Sequence, residues 1–275
     1  MKWTKEEIEL LRIKYPVFGT NGLLELNRSI ASIHNKAKLL GIHILENTKS
    51  NIAKVNATTN RKYKEYKVSD LTTNINEYSA YILGLLWTDG YLQPKRNTTA
   101  LTMLKDDLLE IDWIFKKTGN WYIQDRRRKG RRESRTISAY NPVFCNSLIS
   151  LDYDRKSYIS PCKIVKNIPE QYMRYFFRGV IDGDGCFYLN KKRYTYQLTI
   201  ASTYEQDWSC YLKYFSKMGF IFSIQKRATI KSKSSIIRIC KRDDIINLSR
   251  WLYDGYLEDG IGLTRKYNKS LLFYK

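Results

Sequence analysis

Two apolar segments, each ending in an Asp-Gly pair, dominate the hydrophobic pattern of the chain. The first is YILGLLWTDG at residues 81–90, and the second is FFRGVIDGDG at residues 176–185. Each predicts a buried helix that ends at its Asp-Gly pair. Gly84 and Thr88 are four residues apart, and Gly179 and Gly183 repeat this spacing. Residues at this spacing share one face of a helix, so the pattern predicts two helices with small-residue faces.

Small residues on a helix face allow a second backbone to approach closely. Such packing would offset the roughly 1 kcal/mol that a glycine costs inside a helix. If the two faces pack together, Asp89 and Asp184 meet at the carboxyl ends of both helices, where the helix dipole is negative. Two carboxylates repel each other there, and a hard cation such as Mg²⁺ would relieve the repulsion. The alternative is a pair of buried helices with simple Asp-Gly stops.

The segments after the two motifs repeat as well. Each motif is followed by a strand, a basic turn, a second strand, a helix, two more strands and a closing helix. IQDR at 123–126 and IQKR at 224–227 mark equivalent strands. In the first half these elements are predicted at 91–92, 101–103, 106–117, 121–126, 135–140 and 141–151, and in the second half at 187–189, 198–200, 205–218, 222–227, 235–240 and 243–253. The sequence therefore predicts an α+β fold of two αββαββα repeats, residues 77–160 and 161–275.

Residues 1–43 show a separate helical pattern. Thr4 is a suitable N-cap for a first helix, which Pro16 and Gly19 are expected to break. A short helix is predicted at 22–26, and a third begins at Ser29 and stops at Gly41. These features predict a small three-helix domain. Residues 44–76 are polar and basic, and we interpret them as a linker.

The charge of the chain restricts its partners. Its 275 residues include 48 Lys and Arg against 27 Asp and Glu, a formal net charge of +21. This excess predicts a polyanionic partner, either nucleic acid or an anionic membrane. No apolar run approaches the ~18 residues of a membrane span, which argues against a membrane protein. The five cysteines are scattered and there are two histidines, so a structural zinc site is not expected and a reducing compartment is favoured.

ILGLLWTDG at 82–90 and FRGVIDGDG at 177–185 resemble the two signature helices of LAGLIDADG homing endonucleases. The resemblance implies that the paired helices join two pseudo-symmetric halves, whose antiparallel sheets form a saddle over the DNA major groove. It also implies that Asp89 and Asp184 bind catalytic metal, and that Gly90 and Gly185 belong to the same metal site. Trp87 departs from the motif, which has an aspartate at this position and keeps it at Asp182 in the second copy. That position does not bind metal in the family.

Two further resemblances concern basic residues. The segments DRKS at 154–157 and TRKY at 264–267 resemble the family's basic positions near the scissile phosphate, which implies catalytic roles for Lys156 and Lys266. The N-terminal pattern, ending in SIASIHNKAKLLGI, is similar to Myb/SANT-like helix-turn-helix modules. Its third helix would then present Ser32, Asn35 and Lys36 to a major groove. A helical cap used only for packing is the alternative.

The predicted strands and turns carry many basic residues that suit phosphate neutralisation and base reading. Basic loops that are merely solvated remain the alternative for part of this set. The predicted DNA-binding residues outside the N-terminal domain are Lys95, Arg96, Arg126, Arg128, Arg135, Lys191, Lys192, Arg193, Lys226, Arg227, Arg238 and Lys241.

Together these features predict a monomeric, site-specific homing endonuclease that makes a Mg²⁺-dependent double-strand break in a long asymmetric DNA site, with Mn²⁺ as a substitute. Two alternatives remain, an RNA-binding intron maturase and a DNA-binding regulator that has lost cleavage. The helix-turn-helix pattern favours DNA, because A-form RNA closes its major groove to a helix. Such an enzyme would act in the cytoplasm or nucleoid of a bacterial or phage-infected cell, or in an organelle matrix.

Overall fold

The computed structural model describes residues 3–46, 68, 71–126, 132–229 and 233–274. The chain divides into two compact units, residues 1–64 and 65–275. Within the described ranges, no helix combines the length and apolarity needed to cross a bilayer. The predicted DNA contact Arg128 and most of the predicted linker, residues 47–67, lie outside the described residues.

The first unit contains helix α1 (Lys5–Phe18), a 3₁₀ segment (Gly19–Leu26) and helix α2 (Ile30–Leu39). Thr4 caps α1 as predicted, because its hydroxyl accepts from the Glu7 amide at 3.2 Å. The expected break at Pro16 is wrong: α1 continues to Phe18. A proline so close to the helix end removes one backbone donor without preventing the last turn. The small core of this unit is formed by Leu11, Tyr15, Leu23, Ile33 and Ala37.

Two four-stranded antiparallel sheets and two central helices build the second unit, which confirms the predicted fold class. The first repeat contains α3 (Glu77–Thr88), β1 (Gly90–Gln93), β2 (Thr98–Leu104), α4 (Lys105–Lys117), β3 (Tyr122–Arg126), β4 (Ser134–Tyr140) and α5 (Pro142–Ser150). The second contains α6 (Cys162–Asn167), α7 (Met173–Asp184), β5 (Gly185–Asn190), β6 (Thr195–Thr203), α8 (Ser209–Lys217), β7 (Ser223–Ala228), β8 (Lys233–Ile239), α9 (Arg242–Tyr253), α10 (Tyr256–Asp259) and α11 (Thr264–Leu271). The strand orders are β1-β2-β4-β3 and β5-β6-β8-β7.

Alternation along the strands gives each sheet a core face. In the second sheet, Leu198, Ile200, Ile237 and Ile239 are buried, whereas the residues between them are exposed or half-buried. Side chains of a strand alternate between its two faces, so one face packs on the helices and the other does not. The predicted linker extends too far along the chain: Val68, Leu71 and Ile75 are buried in the core of the second unit. These single apolar residues were too widely spaced to reveal an element.

The segments that close the two repeats each dock on the opposite repeat. After α5, the carbonyl oxygens of Tyr158 and Ile159 accept from the second repeat, from the Asp207 amide at 2.9 Å and the Gln206 side chain at 2.7 Å. At the other end, Arg265 donates twice to Asp107 of α4, at 2.6 and 2.7 Å. Each closing segment is therefore held in place by the repeat to which it does not belong.

Candidate active site

The helices α3 and α7 pack backbone against backbone. A Cβ atom on Gly84 would overlap the carbonyl oxygen of Phe176 and lie 3.1 Å from the Gly179 Cα. A Cβ on Gly179 would overlap the carbonyl oxygen of Tyr81. Nearer the carboxyl ends, Gly183 faces the side chain of Thr88. The structure thus places all four small residues predicted from the sequence at the contact between the helices.

The contact brings Asp89 and Asp184 to the same end of the helix pair. Asp89 is the residue that ends α3, and its Oδ2 lies 3.0 Å from where a Cβ on Gly183 would be. Burial raises the pKa of Asp89, and burial together with the charge of Asp89 raises the pKa of Asp184 to about 6. Burial therefore disfavours the ionised form of both carboxylates, and at Asp184 the neighbouring charge of Asp89 adds to this effect.

Asp182 lies two residues before Asp184, on another side of α7, and has a different environment. Its carboxylate accepts from Tyr81 Oη at 2.8 Å, Tyr253 Oη at 3.0 Å and the Leu263 amide at 2.9 Å. Within the described ranges, Asp89 and Asp184 have no comparable hydrogen-bond donor. The fully buried Asp182 is a structural residue, whereas the other two carboxylates lack a partner that would explain their burial.

Two lysines cap the carboxyl ends of the paired helices. Lys156 Nζ donates to the carbonyl oxygen of Leu86 at 3.1 Å and to that of Thr88. Lys266 Nζ donates to the carbonyl oxygen of Ile181 at 3.1 Å and to that of Gly185. Both cations therefore satisfy carbonyl groups that a helix end leaves open and oppose the negative end of the dipole.

The same lysines act electrostatically on the aspartates. Burial lowers the pKa of Lys156 to about 8 and also lowers the pKa of Lys266. In return, both cations oppose the rise in the pKa of Asp89 and Asp184. The structure thus brings together the four residues for which the sequence predicted catalytic roles.

The donor set fits a hard divalent cation. Within the described residues, no group of three or more His, Cys, Asp or Glu side chains comes together. Mg²⁺ is commonly held by one or two carboxylates together with substrate phosphate and water, and Asp89 with Asp184 matches that pattern. Of the glycines predicted beside the metal, Gly185 has its carbonyl oxygen occupied by Lys266, and Gly90 begins β1 opposite Leu101.

A cavity of about 330 Å³ opens beside this helix end. Lys156 and Asp184 line it together with Thr203 and Gln206 of the second repeat, and Trp87 forms part of its apolar wall. The cavity gives one side of the site room for a ligand next to a carboxylate and a lysine.

Sequence reasoning missed the residues that support the site. Trp87 occupies the place that Asp182 has in the second motif, and its ring packs edge-on against Tyr153 with centroids 4.9 Å apart. Tyr153 donates to the Leu83 carbonyl oxygen at 3.0 Å, whereas Tyr253 donates to Asp182. The available signal was a tyrosine at or just after the end of each closing helix, because it recurs in both repeats.

The predicted DNA contacts fall into three groups. Lys95, Arg96, Lys192, Arg193 and Arg227 are exposed, Arg126 and Arg238 are half-buried on strands, and the side chain of Lys191 lies outside the described residues. Three others already have partners: Arg135 pairs with Asp125 at 2.6 Å, Lys241 with Asp244 at 3.6 Å, and Lys226 lies over the Tyr204 ring at 4.9 Å. On α2, Asn35 is exposed, and Ser32 and Lys36 are half-buried.

No family model matches the chain, and no curated protein matches it in sequence. Similar solved structures include mesophilic variants of the homing endonuclease I-DmoI, at 14% identity and a TM-score of 0.45, covering 66% of this chain and 98% of that one. The meganuclease I-SmaMI bound to uncleaveable DNA has 12% identity and a TM-score of 0.44, covering 73% and 91%. The N-terminal LAGLIDADG domain of DUF199/WhiA has 13% identity and a TM-score of 0.40, covering 70% and 89%. None of these similarities assigns a function to this chain.

If the site supports metal-dependent DNA cleavage, replacing Lys156 by methionine should lower the rate at pH 7 by about tenfold or more, because a charge near the reacting phosphate would be lost. Lys156 also lowers the pKa of both aspartates. Its removal should raise these pKa values, so the rise in rate with increasing pH should move to higher pH. The measurement is a pH–rate profile, with the exposed Lys217→Met as the charge-matched control. An unchanged profile would contradict the electrostatic role of Lys156.

Replacing Asp182 by alanine should destabilise the second unit by about 3–5 kcal/mol. The change leaves two tyrosine hydroxyls and the Leu263 amide without their buried acceptor. Urea denaturation measures the change in the free energy of unfolding, and Asp243→Ala, at an exposed aspartate of α9, serves as the control. A loss below about 1 kcal/mol would show that other groups or water satisfy these donors.

Proposed function

We propose that the chain is a LAGLIDADG-type, site-specific endonuclease that cleaves both strands of duplex DNA with a divalent cation. The observation that carries this proposal is the pair Asp89 and Asp184. Both carboxylates are largely buried, and among the described residues no protein group donates a hydrogen bond to them. They lie at adjoining helix ends, where the two helices contact each other through glycines. A fold tolerates such mutual repulsion at a cost in stability, which is typical of a functional site.

The residues of the chain have separable roles in this reaction. Asp89 and Asp184 would hold Mg²⁺, or Mn²⁺ in its place, which supplies Lewis acidity for phosphodiester hydrolysis when bound. The glycine contact lets the two helix backbones, and with them the two carboxylates, lie close together, because a Cβ at Gly84 or Gly179 would overlap the opposite backbone. Lys156 and Lys266 lie at the same end and would stabilise negative charge that develops on the phosphate.

DNA binding is supported by charge and by the two sheets. The net charge of +21 suits counterion release from a phosphate backbone. The exposed basic turns before β2 and β6 occupy equivalent places in the two repeats. Because the repeats differ in sequence, one chain acting as a monomer could read an asymmetric site without a second copy. The N-terminal unit would add contacts through α2.

The decisive experiment is cleavage of a randomised duplex DNA library by the full chain, with Mg²⁺ and with EDTA, followed by sequencing of the cut ends. Metal-dependent cuts at one long asymmetric motif, with a fixed stagger between strands, are expected. Salt-sensitive duplex binding without any cut would replace the proposal by a DNA-binding regulator. Preference for structured RNA over every duplex would replace it by a maturase.

A further inference from the structure

The strand registers of the two sheets match residues of β3 and β4 with residues of β7 and β8. Ile137 of β4 pairs with Ile123 of β3, and Ile237 of β8 pairs with Ile224 of β7. Ile137 and Ile237 are both buried on the core face. The next residue in each central strand therefore lies on the opposite, outer face. These equivalent residues are Ser138 in the first sheet and Arg238 in the second.

Arg238 is held on the outer face of its sheet. Its strand neighbours are Ser223 and Thr199, both of which have small side chains. With its side-chain amide turned so that its oxygen faces Arg238, Gln225 accepts from both terminal nitrogens of the guanidinium, at 2.7 and 3.2 Å. Each of these nitrogens carries a second N–H, so the guanidinium keeps donors for a ligand. In the described part of the chain Arg238 has no acidic partner, unlike Arg135, which pairs with Asp125.

The first sheet has no such group at the equivalent place. Ser138 is buried, and its hydroxyl donates to the Tyr122 carbonyl oxygen at 3.5 Å. Other positions of the two faces match more closely: Gln124 corresponds to Gln225, and an arginine follows two residues later in both edge strands, as Arg126 and Arg227. Among the described residues, the clearest difference in charge between the outer faces of the two sheets is therefore that Arg238 in the second sheet corresponds to Ser138 in the first.

We propose that Arg238 reads a guanine in the half-site under β5–β8, that Gln225 positions its guanidinium, and that the symmetry-related base under β1–β4 is not selected for guanine. This inference rests on the proposed function, because it requires duplex DNA on the outer faces of the sheets. A guanidinium donates in a fork to O6 and N7 of guanine, and a β-ribbon fits the major groove. The DNA site bound by this chain would then differ between its two half-sites at one defined base pair.

Selection of bound duplexes from a randomised library, in Ca²⁺ to limit cleavage, tests this assignment with the full chain. The wild-type protein should enrich guanine at one position of one half-site only. Arg238→Ser, which installs the first sheet's residue, should reduce that preference about tenfold or more and leave the other positions unchanged. Gln225→Ala should weaken the same preference without moving it.

Two controls separate base reading from charge and folding. Lys217→Ser removes one charge from the exposed end of α8 and should leave every base preference unchanged. Arg238→Lys keeps the charge and loses the fork, so that affinity and its salt dependence should persist while guanine preference falls. Persistence of the preference in both Arg238 variants, or guanine at both symmetry-related positions, would overturn the inference. If the wild-type chain selected no duplex at all, the proposed function itself would fail.

Discussion

Replacing Asp89 or Asp184 by asparagine should abolish metal-dependent DNA cleavage, with a loss of at least about 1,000-fold, and should at the same time stabilise the metal-free protein. Both effects have one cause. Burial disfavours the charge on both carboxylates, the charge of Asp89 adds to this at Asp184, and the amide removes a charge that a cation would otherwise neutralise. Cleavage of the selected duplex in Mg²⁺ measures the first effect, and thermal unfolding in EDTA measures the second.

The expected gain in stability depends on pH. The folded-state pKa of Asp184, about 6, is higher than its usual value of 3.8, so the ionised form is disfavoured by folding. This penalty is absent below the usual pKa and fully present above the raised one. Asp184→Asn should therefore add up to about 2 kcal/mol to the free energy of unfolding at pH 8, and almost nothing at pH 3.5.

Asp243→Asn is the matched control, because Asp243 is exposed in the first turn of α9. It should change neither cleavage nor the metal dependence of unfolding. Added Mg²⁺ or Ca²⁺ should raise the melting temperature of the wild-type protein and have little effect on either active-site variant. Cleavage that survived in Asp89→Asn or Asp184→Asn would rule out the proposed roles of these carboxylates.

Replacing Gly84 by alanine should destabilise the second unit by about 3 kcal/mol or more, although alanine is the better helix former by about 1 kcal/mol. The added Cβ would overlap the carbonyl oxygen of Phe176, which is backbone and cannot rotate away. The helices would have to separate, and Asp89 and Asp184 would separate with them. Urea denaturation and the cleavage assay should therefore both show a loss.

Gly183→Ala provides a comparison within the same interface. Its Cβ would meet the Thr88 side chain and lie 3.0 Å from Asp89 Oδ2, so it mainly disturbs side chains rather than opposing backbone. We expect a smaller loss of stability than in Gly84→Ala, with a comparable loss of cleavage. If Gly84→Ala were as stable as the wild-type protein, the close helix contact would not be the feature that sets the aspartate spacing.

The duplicated motifs carried most of what could be predicted. Spacing alone related Gly84 to Gly179 and placed Asp89 beside Asp184, because a helix turns small residues four apart onto one face. The repeated strand order then gave both sheets. Partner choice was not readable: Arg135 was predicted to contact DNA, but the register places it beside Asp125. Such pairings depend on strand alignment, which a basic turn does not specify.

The environment of the lysines was also hidden from the sequence. A lysine in a turn is usually solvated, and only the fold shows that Lys156 and Lys266 reach helix carbonyl groups. Likewise, the sequence shows that Trp87 stands where the second motif has Asp182. It does not show that Trp87 packs against Tyr153, whereas Asp182 accepts three hydrogen bonds. Long-range contacts of this kind arise from packing between elements that are distant in the chain.

The crossed docking of the closing segments has a consequence for protein engineering. Residues 158–159 are anchored by Gln206 and Asp207, and Arg265 is anchored by Asp107. Consider a hybrid that joins one repeat of this chain to one repeat of a relative. It would keep the active-site lysine of the retained repeat, but it would lose the docking residues of the opposite repeat that hold the closing segment in place. The unit of exchange is therefore a repeat together with the opposing docking residues, and the two halves of this molecule are not independent modules.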